Sequence, residues 1–129
     1  MSEPIPASVE EAVTRFLDAA FNVHRELGPG LLESVYEACV CHELALMGVP
    51  FQRQVSVPVS YRGIQIESGL RLDLMVADEV VIELKSIDAL LPIHEAQLLT
   101  YLKITNKRVG ILINFNVPLL KQGIKRIAL

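Results

Sequence analysis

The sequence predicts an α/β fold, and three observations carry the prediction. An amphipathic helical stripe fills most of the first thirty residues. Alternating segments broken by turn residues, suited to antiparallel strands, follow between residues 51 and 76. A buried strand, a helix and a second buried strand then succeed one another between residues 80 and 115, the pattern of a βαβ unit expected to be parallel and right-handed.

The first helix is read from Val9, Ala12, Val13, Phe16, Leu17, Ala20, Val23 and Leu27, which are spaced by three and four. Ser8-Val9-Glu10-Glu11 fits a capping box at its start, and Gly28-Pro29-Gly30 ends it. His24 belongs to this helix face. A second helix fits 31–47 and is closed by Gly48. Strand-like segments run over 51–61, 63–67 and 70–76, with turns at Arg62-Gly63 and Ser68-Gly69. Pro58 cannot donate to a ladder, so its strand is expected at a sheet edge or bulged. "VVIELKS", 80–86, is the next strand. The helix after it covers 93–104, with Ala96, Leu99 and Leu102 at helical spacing. "RVGILINF" is apolar enough to be covered on both faces. The tail "LLKQGIKRIAL" fits a short strand or a short helix equally well.

The 129 residues, 51% of them hydrophobic, are expected to form one domain, 1–129. No apolar run approaches the roughly 20 residues that span a bilayer. "MSEPIPASVEE" is acidic and lacks the apolar centre of a signal peptide, so a cytoplasmic location is expected. Cys39 and Cys41 diverge if they lie on a helix, and a lone C-x-C offers too few ligands for structural zinc, so reduced thiols are expected. With 12 Lys+Arg against 15 Asp+Glu, the net charge of −3 argues against coating nucleic acid through bulk electrostatics. It leaves open a local basic patch, or a metal ion that neutralises a carboxylate cluster.

The strand 80–86 sets Glu83 and Lys85 into an otherwise apolar run. Strand residues two apart share a face, so Val81, Glu83 and Lys85 lie together, opposite Val80, Ile82 and Leu84. In the preceding strand, alternation puts Leu70, Leu72, Leu74 and Val76 on one side and Arg71, Asp73 and Met75 on the other. With 77–79 as a hairpin loop centred on Asp78, paired residue numbers sum to 156. Asp73 then faces Glu83 with Cβ atoms about 4.5–5.5 Å apart. Two like charges so placed are unfavourable unless a cation lies between them. Mg²⁺ or Mn²⁺, held by both carboxylates, a carbonyl and waters, suits the position. The plainer alternative pairs Asp73 with Arg71 or Lys85 on a half-exposed sheet.

Gln97 and Tyr101 are four apart on the following helix, about 5–6 Å between Cβ atoms. They either contact a phosphate or a water, or line an exposed face. Glu33, in the first turn of the second helix, either interacts with the helix dipole or adds a third carboxylate. His94 is read as near the mouth of such a site.

Taken together, these residues resemble the GxxExxY family of small bacterial and archaeal proteins, a branch of the PD-(D/E)XK nuclease superfamily. The naming pattern matches Gly30-Leu31-Leu32-Glu33-Ser34-Val35-Tyr36, and the superfamily pattern matches Asp73 with Glu83-Leu84-Lys85. Gln97-Leu98-Leu99-Thr100-Tyr101 is similar to the Q-x-x-x-Y helix element of RecB-like nucleases, and "GILINF" resembles the family's late strand. The resemblance spans about residues 16–115. It departs at Leu72, where the pattern has proline. It implies a restriction-endonuclease-like core, with a central mixed β-sheet flanked by helices. It implies that Asp73 and Glu83 bind Mg²⁺ or Mn²⁺. Lys85 would position or activate the attacking water and stabilise charge on the phosphate, and Glu33 would support the metal or its water. Gln97 and Tyr101 would belong to the same site. The implied activity is hydrolysis of phosphodiester bonds, in DNA before RNA, with specificity drawn from a homodimer or a partner protein. A second reading keeps the fold without turnover, as a nucleic-acid- or protein-binding module or as a subunit of a larger assembly.

Overall fold

The computed structural model describes residues 3–129. Its elements are α1 (Ala7–Leu27), α2 (Glu33–Leu46), β1 (Phe51–Tyr61), β2 (Ile64–Val76), β3 (Val80–Lys85), α3 (Pro92–Thr105), β4 (Val109–Asn114) and β5 (Ile124–Ala128), with a short 3-10 helix, Leu120–Gly123, before the last strand. The five strands form one sheet in the order β1-β2-β3-β4-β5. Only β3 and β4 are parallel, as their connection through a helix requires; the other neighbours are antiparallel, so the sheet is mixed.

Helices cover both faces. On one, Phe16, Val23, Tyr36, Val40 and Leu44 of α1 and α2 pack on Leu74, Ile82, Leu84, Ile111 and Ile113. On the other, Leu98 and Leu102 of α3 pack on Met75, Val81 and Leu112. A Cβ on Gly110 would lie 2.8 Å from Leu98 Cδ1, so the absence of a side chain there lets α3 settle on β4. Because β3 and β4 are covered on both faces, they read as near-continuous apolar runs. Among the described residues, no helix is long and apolar enough to cross a membrane.

Several expectations need correction. Pro6, not Ser8, stands at the N-cap of α1 and makes no side-chain cap, so the helix starts earlier than the capping-box reading. Ser8, already inside the helix, donates instead to Glu79 Oε2 at 3.0 Å. Arg62-Gly63 is the tight turn expected, both residues at positive φ between the pair Tyr61↔Ile64. Ser68-Gly69 is not a turn. β2 runs straight through it, and the β1–β2 register shifts between Val57 and Val59, where Pro58 stands opposite three residues rather than one. Proline offers no N–H to that ladder, and Ser68 takes φ 53°, so the feature is a bulge. On α3 the buried residues are Leu98 and Leu102, whereas Ala96 is exposed and Leu99 only half-buried. The tail forms both alternatives, the 3-10 helix and then β5.

Candidate active site

The loop at residues 77–79 sets the register of β2 against β3. Val76↔Val80, Met75↔Val81 and Leu74↔Ile82 pair as the sum of 156 requires, and there the pairing stops. At the next step Asp73 and Glu83 do not bond backbone to backbone. The Asp73 N–H donates to Glu83 Oε2 at 3.0 Å, and the Leu84 N–H donates to Asp73 Oδ2 at 2.8 Å. Each carboxylate thus takes an amide of the opposite strand, and the two strands part around them.

Asp73 is also out of register on its other side. The β1–β2 pairing runs through Arg53↔Leu74 and Val55↔Leu72 and omits Gln54 with Asp73. Gln54 has φ 49°, a left-handed conformation that costs a residue with a Cβ on the order of 1 kcal/mol. Both strands change face at this point. Leu74 and Val76 pack under α1 and α2, but Leu72 joins Met75 on the α3 side; likewise Phe51 packs on the first layer and Val55 and Val57 on the second. Strict alternation of Leu70, Leu72, Leu74 and Val76 on one side therefore fails at Asp73. The break frees the Asp73 carboxylate from the pleat.

Glu83 is buried, Asp73 and Lys85 are half-buried, and all three lie where the pairing of β2 with β3 stops. Lys85 pairs with Asn114 of β4, and its carbonyl accepts the Phe115 N–H at 2.9 Å. The buried Asn114 side chain bridges to the segment beyond, accepting the Ile87 N–H at 3.1 Å and donating to the Ile87 carbonyl at 2.9 Å. The backbone that carries Lys85 is therefore fixed, whereas its ammonium makes no hydrogen bond or ion pair among the described residues.

Glu33 opens α2, in the helical layer opposite α3, and lies within the field of Asp73 and Lys85. Its placement follows from the turn before it, where Gly30 has φ 98°. Tyr36, fully buried one helical turn later, donates its hydroxyl to the Gly28 carbonyl at 2.6 Å and accepts the Leu31 N–H at 3.1 Å. Its ring stacks on Phe115 with centroids 4.6 Å apart. Ser86 Oγ, next to Lys85, donates to the Leu31 carbonyl at 2.6 Å and ties the turn to the end of β3.

The electrostatics record this convergence. Burial, then the charge of Asp73, pushes the Glu83 carboxyl up to about 8. Burial also raises Asp73, opposed by the Leu84 N–H. Glu33 is raised by desolvation and then by Asp73, and Tyr101 by desolvation and then by Glu83 and Asp73. The field of Lys85 lowers all three carboxyls but does not outweigh the other causes. Tyr101, half-buried on α3, thus lies within the field of the carboxylates. Gln97, one turn earlier, is exposed and makes no hydrogen bond among the described residues. His94 caps α3, its Nδ1 accepting the Leu91 N–H at 2.9 Å, and His24 bonds the Val117 carbonyl at 2.9 Å from a buried position on α1.

Sequence reasoning missed three participants. Glu37, buried, accepts from Arg53 Nη2 at 2.9 Å and from Gln54 Nε2 at 2.7 Å, and its charge raises Asp73 while Gln54 lowers it. The helical spacing held a signal for Glu37, four residues after Glu33 and so on the same face of α2.

Among the described residues, no group of three or more His, Cys, Asp or Glu side chains is placed to hold a metal ion. The donor set nevertheless fits a hard divalent cation. Asp73 and Glu83 each commit one oxygen to an amide. Because no buried side-chain oxygen lacks a partner, the unbonded Oε1 of Glu83 is reached by solvent. Two carboxylates completed by waters and substrate oxygens is the shell Mg²⁺ takes with few protein ligands.

Residues 10–127 match the family model described as the PD-(D/E)XK nuclease superfamily. No curated protein and no solved structure matches the chain.

Proposed function

Because the chain belongs to the PD-(D/E)XK nuclease superfamily, with its restriction-endonuclease-like α/β sheet, we propose that it is a metal-dependent nuclease that hydrolyses phosphodiester bonds, in DNA before RNA. Within the superfamily we assign it to the GxxExxY group, close to the RecB-like branch. The observation that carries the reading is the release of Asp73 and Glu83 from the ladder, with each carboxylate anchored by one amide of the opposite strand. A buried acid pair raised in pKa is costly as it stands and is answered by a cation.

Nucleases of this superfamily generally use divalent metal ions. Here Asp73 and Glu83 would hold one, Mg²⁺ or Mn²⁺ by the oxygen donor set. When bound, such an ion polarises a phosphodiester and lowers the pKa of a coordinated water. The rest of the work falls to the chain's own side chains. Lys85, unpaired and on a fixed backbone, supplies a positive charge for the phosphate oxygens and orients the attacking water. Glu33 accepts a hydrogen bond from that water, and its raised pKa suits it to take the proton. Tyr101, raised in pKa, stays protonated and donates to a phosphate oxygen, and Gln97, exposed one turn away, contacts the strand beyond. All of this fits within one domain. Work in the cytoplasm suits the free thiols of Cys39 and Cys41, the latter pushed up to about 11 by burial and so unreactive. Specificity beyond the site would come from a second copy or a partner protein.

The test is cleavage of single- and double-stranded DNA and RNA with Mn²⁺ or Mg²⁺, with Lys85→Ala as the matched control. Metal-dependent cleavage lost in that variant is the expected result. No cleavage of any substrate, together with no metal-dependent rise in melting temperature, overturns the reading.

A further inference from the structure

Next along the chain from Glu33 and Lys85, an open cleft of about 510 Å³ is lined by Gly30, Leu31, Leu32, Val35, Ser86 and Asn116. Its apolar walls are unusually bare: Leu32 is 73% exposed, and Leu31 and Val35 are 39% and 38% exposed. They are also held in place. The Tyr36 hydroxyl and Ser86 Oγ grip the Leu31 backbone at 3.1 and 2.6 Å, and Gly30 at φ 98° turns the chain between them. An exposed apolar wall on a fixed turn differs from scattered surface leucines, because its backbone needs no ordering when a flat apolar group covers it.

The cleft's position says what covers it. Leu32 immediately precedes Glu33, and Ser86 immediately follows Lys85. Neighbouring Cα atoms are about 3.8 Å apart, so the backbone that carries Glu33 and Lys85 runs directly into the cleft wall. A nucleotide with its phosphate at Lys85 must place its own base, or its neighbour's, within that reach. Resting on the nuclease reading above, we propose that this cleft is a nucleobase subsite, so that the substrate is a strand with an unpaired base beside the scissile phosphate. Leu31, Leu32 and Val35 offer the base an apolar face. Asn116 offers it an edge: its Nδ2 donates to the Ile87 carbonyl at 3.2 Å, which leaves its Oδ1 as an acceptor. A paired base inside a duplex cannot present its face to this wall, so single strands, flaps or ends are favoured over continuous duplex.

The test separates the subsite from the chemistry by measuring binding. Fluorescence anisotropy is recorded in a Lys85→Ala background at millimolar Mn²⁺, with three probes: a labelled mixed-sequence single strand, the same sugar-phosphate chain carrying no bases, and the duplex. The single strand is expected to bind about fivefold or more tightly than the abasic chain and the duplex. Leu32→Ser in that background removes most of the preference, whereas Leu46→Ser, an equally exposed leucine at the far end of α2, leaves it intact. Both positions are exposed, so neither change threatens the fold. Equal binding of single-stranded and abasic probes, or identical behaviour of the two serine variants, overturns the subsite. Cleavage by the wild type without a base preference defeats the subsite alone. A base preference lost in Leu32→Ser, in a protein that cleaves nothing, supports the subsite and defeats only the nuclease reading.

Discussion

Replacing Glu83 by glutamine tests the central claim that the site is an over-charged pocket shaped for a cation. The amide side chain keeps the length and can still accept the Asp73 N–H now bonded at 3.0 Å. What it removes is the ionisation. In the folded protein the Glu83 carboxyl is raised from 4.5 to about 8, so between those values the native state binds a proton that the unfolded chain does not. The contribution is present in full below about pH 4.5 and is lost as pH rises through about 8, so metal-free stability falls across that window. The full shift corresponds to on the order of 5 kcal/mol. Structural relaxation and water penetration reduce such penalties in real proteins, which leaves an expected loss on the order of 2 kcal/mol. For a chain of this size that is a fall in melting temperature of about 6–8 °C. Asp73 and Glu33, also raised, act in the same direction.

Thermal unfolding followed by circular dichroism in EDTA, from pH 5.5 to 8.5, reads the effect. The wild type should lose melting temperature steadily, and Glu83→Gln should be flatter and the more stable of the two at pH 8. Manganese added at pH 8 should restore the wild type by mass action and leave the variant unmoved. A wild-type melting temperature that is flat or rises over this range, or a variant with the same slope, refutes the argument that burial and Asp73 hold Glu83 protonated.

Four further outcomes follow from the geometry. Asp73→Asn should raise the metal-free melting temperature at pH 8 and abolish its rise with Mn²⁺, both read in one thermal-shift experiment. Lys85→Ala should retain the Mn²⁺ shift but lose about 10²–10³-fold in cleavage rate, because an ammonium cannot ligate a cation and acts on phosphate or water. Tyr36→Phe strips the Gly28 carbonyl and the Leu31 N–H of their buried partner and should cost about 1–3 kcal/mol in urea unfolding. Gln54→Gly relieves the φ of 49° and so should leave stability nearly unchanged, yet titration should show Mn²⁺ bound about tenfold more weakly, since Gln54 and Glu37 orient Asp73.

How much of this was legible depended on whether the cause was local. The hairpin loop at residues 77–79 fixes the β2–β3 register, so the meeting of Asp73 and Glu83 could be read by counting outward from Asp78. The βαβ unit could be read because strands covered on both faces carry long apolar runs. The neighbours of Asp73 on β1 could not. Counted back from the pair Tyr61↔Ile64, the residue opposite Asp73 is Gln52; the bulge at Pro58 shifts the register by two and substitutes Gln54. Ser68-Gly69 signalled an irregularity, but the same residues serve a turn or a bulge, and only pairing with β1 decides between them. Glu37 was hidden for another reason. Its partners, Arg53 and Gln54, lie 16 and 17 residues away across a helix–strand packing that no periodicity encodes.

These departures from an ideal sheet are not independent. A regular β2 would spend the Asp73 amide on a strand neighbour and hold its side chain to one face; the carboxylate could then address α2 or α3, but not both. With the pleat broken on both sides, one side chain lies within the electrostatic reach of Glu33 and Glu37 from the first helical layer, of Glu83 from β3 and of Tyr101 from the second. The break costs ladder hydrogen bonds and a left-handed Gln54. Amides that donate to a carboxylate instead offset the first cost, and Glu37 pins Gln54 against the second. What remains unanswered in the metal-free protein is charge: four carboxylates, Glu33, Glu37, Asp73 and Glu83, around Lys85 and Arg53. Because Arg53 is committed to Glu37, a single ammonium is left to Glu33, Asp73 and Glu83; in the metal-free protein the proton held on Glu83 closes the balance, and a divalent cation between Asp73 and Glu83 takes that proton's place.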